Sequence, residues 1–331
     1  MSTGRGTDKI LEKLRTSVNN GNYYEAHQMY RTVCRRYIKQ EKHNSAIELL
    51  YSGGQLLLEH KQIGSGTDLS LYLVDAYKEA EIPVTEESRA RITRLLSLLP
   101  NEPGRRRFMD AAVQWSVKFS DSVVGDPELH HFIGEMLWKE KSYSEAEPHF
   151  LAGLPASSRS YGNMLAEWAS QDHPSKLGTY ISRAVLQYLC LRNIRDARTS
   201  FDTFIEAVAE KDSSIKSGTA PYRPTLASDP VQISLYTIPL LNFLQLLILT
   251  VQRDARDLFT KLRTKYSSSL AVEPSFDDLL NKIGEVFFDI KLQKPQQYNL
   301  LQDLMNSFLS PSGSASESPA GARMSMSSDL E

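Results

Sequence analysis

The chain has 331 residues, 41% hydrophobic and 24% charged, with a formal net charge of −2. That length fits two domains or one elongated repeat domain. So small a net charge supplies no global field for nucleic acid or an anionic membrane. The charge is unevenly spread. Residues 1–42 carry nine Lys or Arg against four acids, and residues 43–100 carry five against eight. The start "MSTGRGTDKILEKL" has no apolar core of the kind that a secretory signal needs. The longest apolar run, Ile238 to Val251, is too short to span a bilayer and reads as a buried helix. Cys34 and Cys190 read as buried free thiols in a reducing compartment. The expectation is a cytosolic protein.

Helical periodicity dominates the first two thirds. Ile10, Leu11, Leu14 and Val18 form one stripe, which Gly21 stops. In "NYYEAHQMYRTVCRRYIKQ", Tyr23, Ala26, Tyr30, Val33 and Tyr37 recur at steps of three and four. Helices follow through "HNSAIELLYSGGQLLLEH", "DLSLYLVDAYKEA" and "TEESRARITRLLSLL". In the last of these Thr85 stands as N-cap, with Ser88 where a capping box would have Glu or Gln, so only half of that motif is expected. "NYYEAHQMY" and "SYSEAEPHF" share one grammar, small or polar, Tyr, any, Glu, Ala, then an aromatic four residues on. An Ala inside a helix admits a close neighbour, and such helix pairs stack into solenoids. The spacing reads as uneven, and the pairs are tetratricopeptide-like without matching that consensus. The fold class is therefore all-α, an α-solenoid of stacked helix pairs.

Residues 211–239 interrupt it. Prolines 221, 224, 230 and 239 forbid a continuous helix, and "VQISLY" alternates as a strand does. This predicts a loop plus a β-hairpin, inserted between helices, within 211–239. Helices resume at 240–265, 275–292 and 296–309. The hydrophobicity of 240–250 predicts a chain that aggregates unless a partner covers it. The tail 310–331 has eight serines in 22 residues and no aromatic, so it cannot bury enough surface to fold and reads as disordered.

A search for chemistry finds little. "IGSGTDL" (63–69) has no Lys after its second Gly, so it fails as a phosphate-binding loop and reads as a turn capped by Thr67 or Ser65. His130 and His131 are adjacent, and adjacent side chains diverge on a helix. One buried and one exposed histidine are expected there, not a zinc site. Arg105–Arg107 read as a solvated helix start. No cofactor or metal is called, and the chain reads as non-enzymatic. The surviving candidates are protein-binding surfaces, namely the basic first helices beside an acidic pair and the proline-rich hairpin.

The stretch from Asn22 to Tyr77, with "GDPELH", "SYSEAEPHFLAG" and "NFLQLLILTVQRDARDLFTKL", resembles the Golgi-to-ER traffic protein four family over residues 9–309. The resemblance implies a scaffold of the guided-entry pathway for tail-anchored membrane proteins. It implies an N-terminal half, 1–150, that docks the targeting ATPase and regulates it. It implies a C-terminal half, 151–309, whose hairpin holds a ubiquitin-like protein and, through it, a glutamine-rich co-chaperone. Carried over residue by residue, ATPase docking falls on Tyr23, Tyr24, His27 and Arg31, with Lys9, Lys13 and Arg15 of the first helix. ATPase regulation falls on Asp68 and Asp75, seven residues apart and so on one helix face. Asp68 also reads as a plain helix cap. The family's hairpin maps to 216–237, and partner contacts within it, at Tyr222, Val231, Ile233 and Leu235, are read from the strand alternation. Neither direct membrane insertion nor nucleic-acid binding is expected. The alternative from the residues alone is a generic helical-repeat subunit of another complex.

Overall fold

The computed structural model describes residues 3–223, 230–290 and 300–309. Among them lie sixteen α-helices and one two-stranded sheet. The helices before the sheet are α1 (Thr3–Asn19), α2 (Tyr23–Lys39), α3 (His43–Glu59), α4 (Ile63–Glu79), α5 (Glu86–Leu98), α6 (Pro103–Phe119), α7 (Pro127–Lys139), α8 (Tyr143–Leu151), α9 (Pro155–Ala169), α10 (Leu177–Cys190) and α11 (Ile194–Lys211). Strands β1 (Lys216–Tyr222) and β2 (Val231–Tyr236) follow. Then come α12 (Pro239–Gln252), α13 (Arg256–Lys265), α14 (Ser267–Leu270), α15 (Ser275–Phe288) and α16 (Leu300–Leu309). No helix among the described residues is long and apolar enough to cross a membrane.

The repeat expected to be uneven is regular at its N-terminal end. Helices α2, α3 and α4 have 17 residues each and start 20 residues apart. Gly21, Glu41, Lys61 and Glu81, also 20 apart, take φ of 82°, 57°, 61° and 49°. At each corner the next N–H reaches back over the last helical turn. Lys42 donates to the Tyr37 carbonyl at 2.9 Å, Gln62 to Leu57 at 2.8 Å and Ile82 to Tyr77 at 2.9 Å. This Schellman closure satisfies carbonyls that a helix end leaves free. Lys141, Arg192 and Asp254 make the same corner later in the chain. Small residues repeat too. Ala26, Ala46, Gly66, Ala146 and Ala197 are each the fourth residue of their helix, and all are buried. A Cβ on Gly66 would come within 2.5 Å of Leu58 in α3, so smallness here sets how closely consecutive helices pack.

Helices stack in two rows. α1, α3, α5, α7, α9 and α11 each pack on the next, and α2, α4 and α6 do likewise beside them. The core runs between the rows, from Leu14 to Ile283, without a break. α16 returns to the middle of the chain and packs on α6. Its Phe308 ring lies 4.5 Å from His130 of α7 and 5.2 Å from His149 of α8.

The sheet is antiparallel, with Tyr222 opposite Val231 and an irregularity between Lys216 and Gly218. The Asn242 side chain ties it to α12, donating to the Tyr236 carbonyl (2.7 Å) and accepting from the Tyr236 N–H (2.9 Å).

Four expectations are corrected. The helix expected over 240–265 breaks at the Asp254 corner. The apolar run does not await a partner. Leu240, Leu241, Phe243, Leu244, Leu247, Ile248 and Val251 are buried, with α12 packed on α10, α11 and α13. Ser88 completes the capping box, its hydroxyl accepting from the Thr85 N–H at 2.8 Å. Arg105 is not solvated. It is 5% exposed and holds both oxygens of Glu140. The paired histidines behave as expected only in part, because His130 is buried and His131 is half-buried, 2.9 Å from Ser157 Oγ. The tail 310–331 lies outside the described residues.

Candidate functional site

The site is built where α2 lies against α4. At 100° per residue, Tyr24, His27 and Arg31 fall within about 60° of one another on α2. Asp68, Tyr72 and Asp75 share a face of α4 by the same spacing. Ala26, Tyr30, Cys34 and Tyr37 turn the other side of α2 into the core. Tyr24 is consequently left 74% exposed.

Three of these side chains close on one another. His27 Nε2 lies 2.8 Å from Asp68 Oδ2. Arg31 Nη1 donates to both Asp68 oxygens at 2.5 Å. The Arg31 guanidinium also sits 5.7 Å from the centroid of the Tyr72 ring. Gln28 Nε2 donates to His27 Nδ1 at 3.4 Å, which leaves Nε2 as the N–H that the carboxylate receives. Partial burial pulls the Asp68 carboxyl upward, but hydrogen bonds from Arg31 and His27 outweigh it and hold its pKa below the usual value. Asp68 is the sixth residue of α4, whose N-cap position is Gln62, so it is not a helix cap. Nor is Thr67, whose hydroxyl bonds the Ile63 carbonyl inside the helix at 2.7 Å. Asp75 is exposed and has no side-chain partner among the described residues.

A second surface lies at the hairpin. Tyr236 is buried edge-on against Phe201, ring centroids 5.9 Å apart. A pocket of about 190 Å³ opens beside it, lined by Phe201, Ile233, Gln245 and Ile248 among others. Leu235 is 38% exposed, Ile233 and Tyr222 are half-buried, and Arg253 lies 5.8 Å over the Tyr222 ring. The Val231 side chain lies outside the described residues. No cluster of metal-ligating side chains occurs among the described residues.

A family model described as "Golgi to ER traffic protein 4" matches residues 40–309. The chain belongs to the Golgi to ER traffic protein 4 family. The human homologue is 36% identical over 320 residues, covering 95% of this chain and 91% of its own length. Homologue B of Xenopus laevis is 37% identical, covering 92% and 88%. A crystal structure of "C. therm. Get4" superposes with a TM-score of 0.79 at 35% identity, over 96% of this chain and all of that one. This chain thus shares its fold with a solved structure named for Get4. The family model takes in Asp68, Tyr72 and Asp75 and begins just beyond α2.

The expected residues do not all meet. Tyr24, His27, Arg31, Asp68 and Asp75 share the α2–α4 face. Tyr23 instead packs inward, its hydroxyl 3.4 Å from His60 Nδ1 and its ring 5.7 Å from that imidazole. Lys13 lines a groove with Glu25 and Met29, which lie about 200° around α2 from His27 and Arg31. Two roles went unread. Tyr72 floors Arg31, and its signal is the four-residue step from Asp68. Tyr236 anchors the hairpin, hidden by an alternation that favours Val231, Ile233 and Leu235.

Proposed function

We propose that this chain is a non-enzymatic adaptor of tail-anchored protein targeting. Its α2–α4 face docks and regulates the targeting ATPase. Its hairpin face holds a ubiquitin-like protein, which brings a glutamine-rich co-chaperone. Hand-over of a client for insertion into the ER membrane follows from holding both on one cytosolic scaffold. Family membership carries the role in Golgi-to-ER traffic and tail-anchored targeting. In this reading residues 1–150 serve the ATPase, residues 151–309 serve the ubiquitin-like partner, and 310–331 is a tail.

The observation that carries the reading is the α2–α4 face. An exposed aromatic, Tyr24, shares this face with Arg31, Asp68, Asp75 and His27, whose side chain is 12% exposed, and none of the five belongs to the buried core. Mixed charge of this kind steers and orients a protein partner more than it adds affinity. Asp68 has about four lone-pair sites, and the contacts from His27 and Arg31 leave room for a cation from a partner. At the hairpin, Leu235 and Ile233 offer apolar surface with a pocket beneath. Lys13, on the opposite side of α2, is assigned to an outer rim of the docking surface. Tyr23 supports the surface from below.

Reconstitution tests the bridge. The chain is mixed with the ATPase and the ubiquitin-like partner, and the species are sized by light scattering after gel filtration. A single complex containing all three is expected. Leu235→Asp should release only the ubiquitin-like partner. Mutually exclusive binding of the two partners would contradict the bridging role.

A further inference from the structure

The resemblance separates docking on α2 from regulation at Asp68, yet the structure joins them. Asp68 accepts from His27 and Arg31 together, and those are the two polar side chains of the docking face that lie nearest it. Arg31 is held between that carboxylate and the Tyr72 ring. The His27 ring is fixed at both ends, by Asp68 on Nε2 and by Gln28 on Nδ1. Long cationic side chains lose rotamer freedom on binding, so presetting one lowers the cost of its contact. Asp75 has the same charge on the same helix face but holds nothing on α2.

We propose that Asp68 and Tyr72 are positioning residues for His27 and Arg31, so that the α2 docking face and the Asp68 site form one energetically coupled surface. The proposal rests on the reading that this face docks the ATPase. Changing Asp68 then weakens docking through two side chains of α2, besides removing any direct contact. Changing Tyr72 to Leu does the same to Arg31 without altering charge.

The test is a double-mutant cycle on ATPase affinity using full-length protein. Arg31→Ala, Asp68→Asn, Tyr72→Leu and Asp75→Asn are measured singly, and the last three also in the Arg31→Ala background. Coupled neighbours give interaction energies that alter affinity by about threefold or more. Non-additivity of that size is expected for Arg31 with Asp68 and with Tyr72, and additivity for Arg31 with Asp75. A readout in the free protein separates the two layers. Nitrogen-15 spectra of the imidazoles should show His27 held with its proton on Nε2 in the wild type and a mixture of tautomers in Asp68→Ala. Additive effects with intact wild-type binding, or an unchanged His27 tautomer in Asp68→Ala, would overturn the coupling alone. Absence of wild-type binding in every nucleotide state, with the tautomer shift still seen, would overturn the docking reading and, with it, any role of this coupling in docking.

Discussion

His27 of α2 and Asp68 of α4, 41 positions apart in sequence, meet at 2.8 Å on the surface of the stack. The contact exists because α2 and α4 belong to one row, with α3 set beside them in the other. A 20-residue repeat brings corresponding faces of alternate helices together every 40 residues. The pair is a consequence of the corners as much as of the helices.

Those corners lead to the first prediction. Lys61 is exposed and sits at φ 61°, where an L side chain crowds its own backbone. That conformation costs a non-glycine residue on the order of 1 kcal/mol, while glycine adopts it freely. Lys61→Gly should therefore stabilise the protein by about 0.5–1 kcal/mol. Gly21 has nothing within 4 Å of a built Cβ, so Gly21→Ala should cost a similar amount through the backbone alone. Urea midpoints measure both. A Lys61→Gly variant that melts earlier would refute the corner argument.

Close helix approach leads to the second. A Cβ on Gly162 of α9 would come within 2.5 Å of the Ser200 carbonyl oxygen of α11. Backbone cannot yield as a side-chain tip can, so Gly162→Ala should cost about 1–3 kcal/mol. Gly54 of α3 has its nearest neighbour at 3.4 Å, an ordinary contact. Gly54→Ala should be neutral or stabilising by up to about 1 kcal/mol through helix propensity. Equal effects of the two substitutions would show that packing does not distinguish them.

The buried histidine pair leads to the third. His130 Nε2 donates to the Val124 carbonyl at 2.9 Å, so its Nδ1 must accept from His149 Nδ1–H, also at 2.9 Å. Burial pushes the His130 pKa down to about 4 and that of His149 well below its ordinary value. The unfolded chain therefore takes up protons first as the pH falls. For His130 this contribution to stability is intact above about pH 6.5, declines between about 6.5 and 4, and is flat below that, and His149 adds a loss of the same sign. For His130 alone the loss is about 3 kcal/mol over the whole window. Urea midpoints at pH 7, 6 and 5 should fall, and His130→Gln should flatten the slope. Because the Phe308 ring packs at a tilt against both imidazoles, hydrogen exchange in α16 should rise over the same window. A midpoint constant from pH 7 to 5 would contradict this.

How much could be read beforehand follows from the same residues. The helices show themselves through apolar steps of three and four, and Ala26 beside Ala46 already hints at close packing. The regular 20-residue period stayed hidden because Glu41, Lys61 and Glu81 occupy corner positions where glycine is the usual marker. Arg105 looked solvated because a charge gives no sign of a carboxylate waiting 35 residues away. The Asp68 partners were invisible for the same reason, since helical periodicity specifies a face and not what lies across from it. Tyr236 was masked by strand alternation, which cannot say which face of a hairpin meets a helix. The return of α16 to α6 has no local signature at all.

The Tyr30 hydroxyl gives a fourth prediction. It is buried in the core of α2 with no hydrogen-bond partner among the described residues. Burying an unpaired hydroxyl costs about 1–3 kcal/mol, so Tyr30→Phe should leave the fold intact and raise its stability by about 1 kcal/mol. Its ring still fills the space above Gly53, where a Cβ would approach it to 2.6 Å. A destabilised Tyr30→Phe would mean that the hydroxyl is satisfied after all.

The central claim is that the α2–α4 face docks the targeting ATPase. It is tested most directly by calorimetry of the full-length protein with that ATPase, with and without ATP, for wild type beside His27→Ala. Nucleotide-dependent binding by the wild type is expected, weakened about tenfold or more by His27→Ala, as removal of a hot-spot side chain does. Wild-type binding that His27→Ala leaves unchanged would place the docking surface elsewhere on the chain and contradict the account.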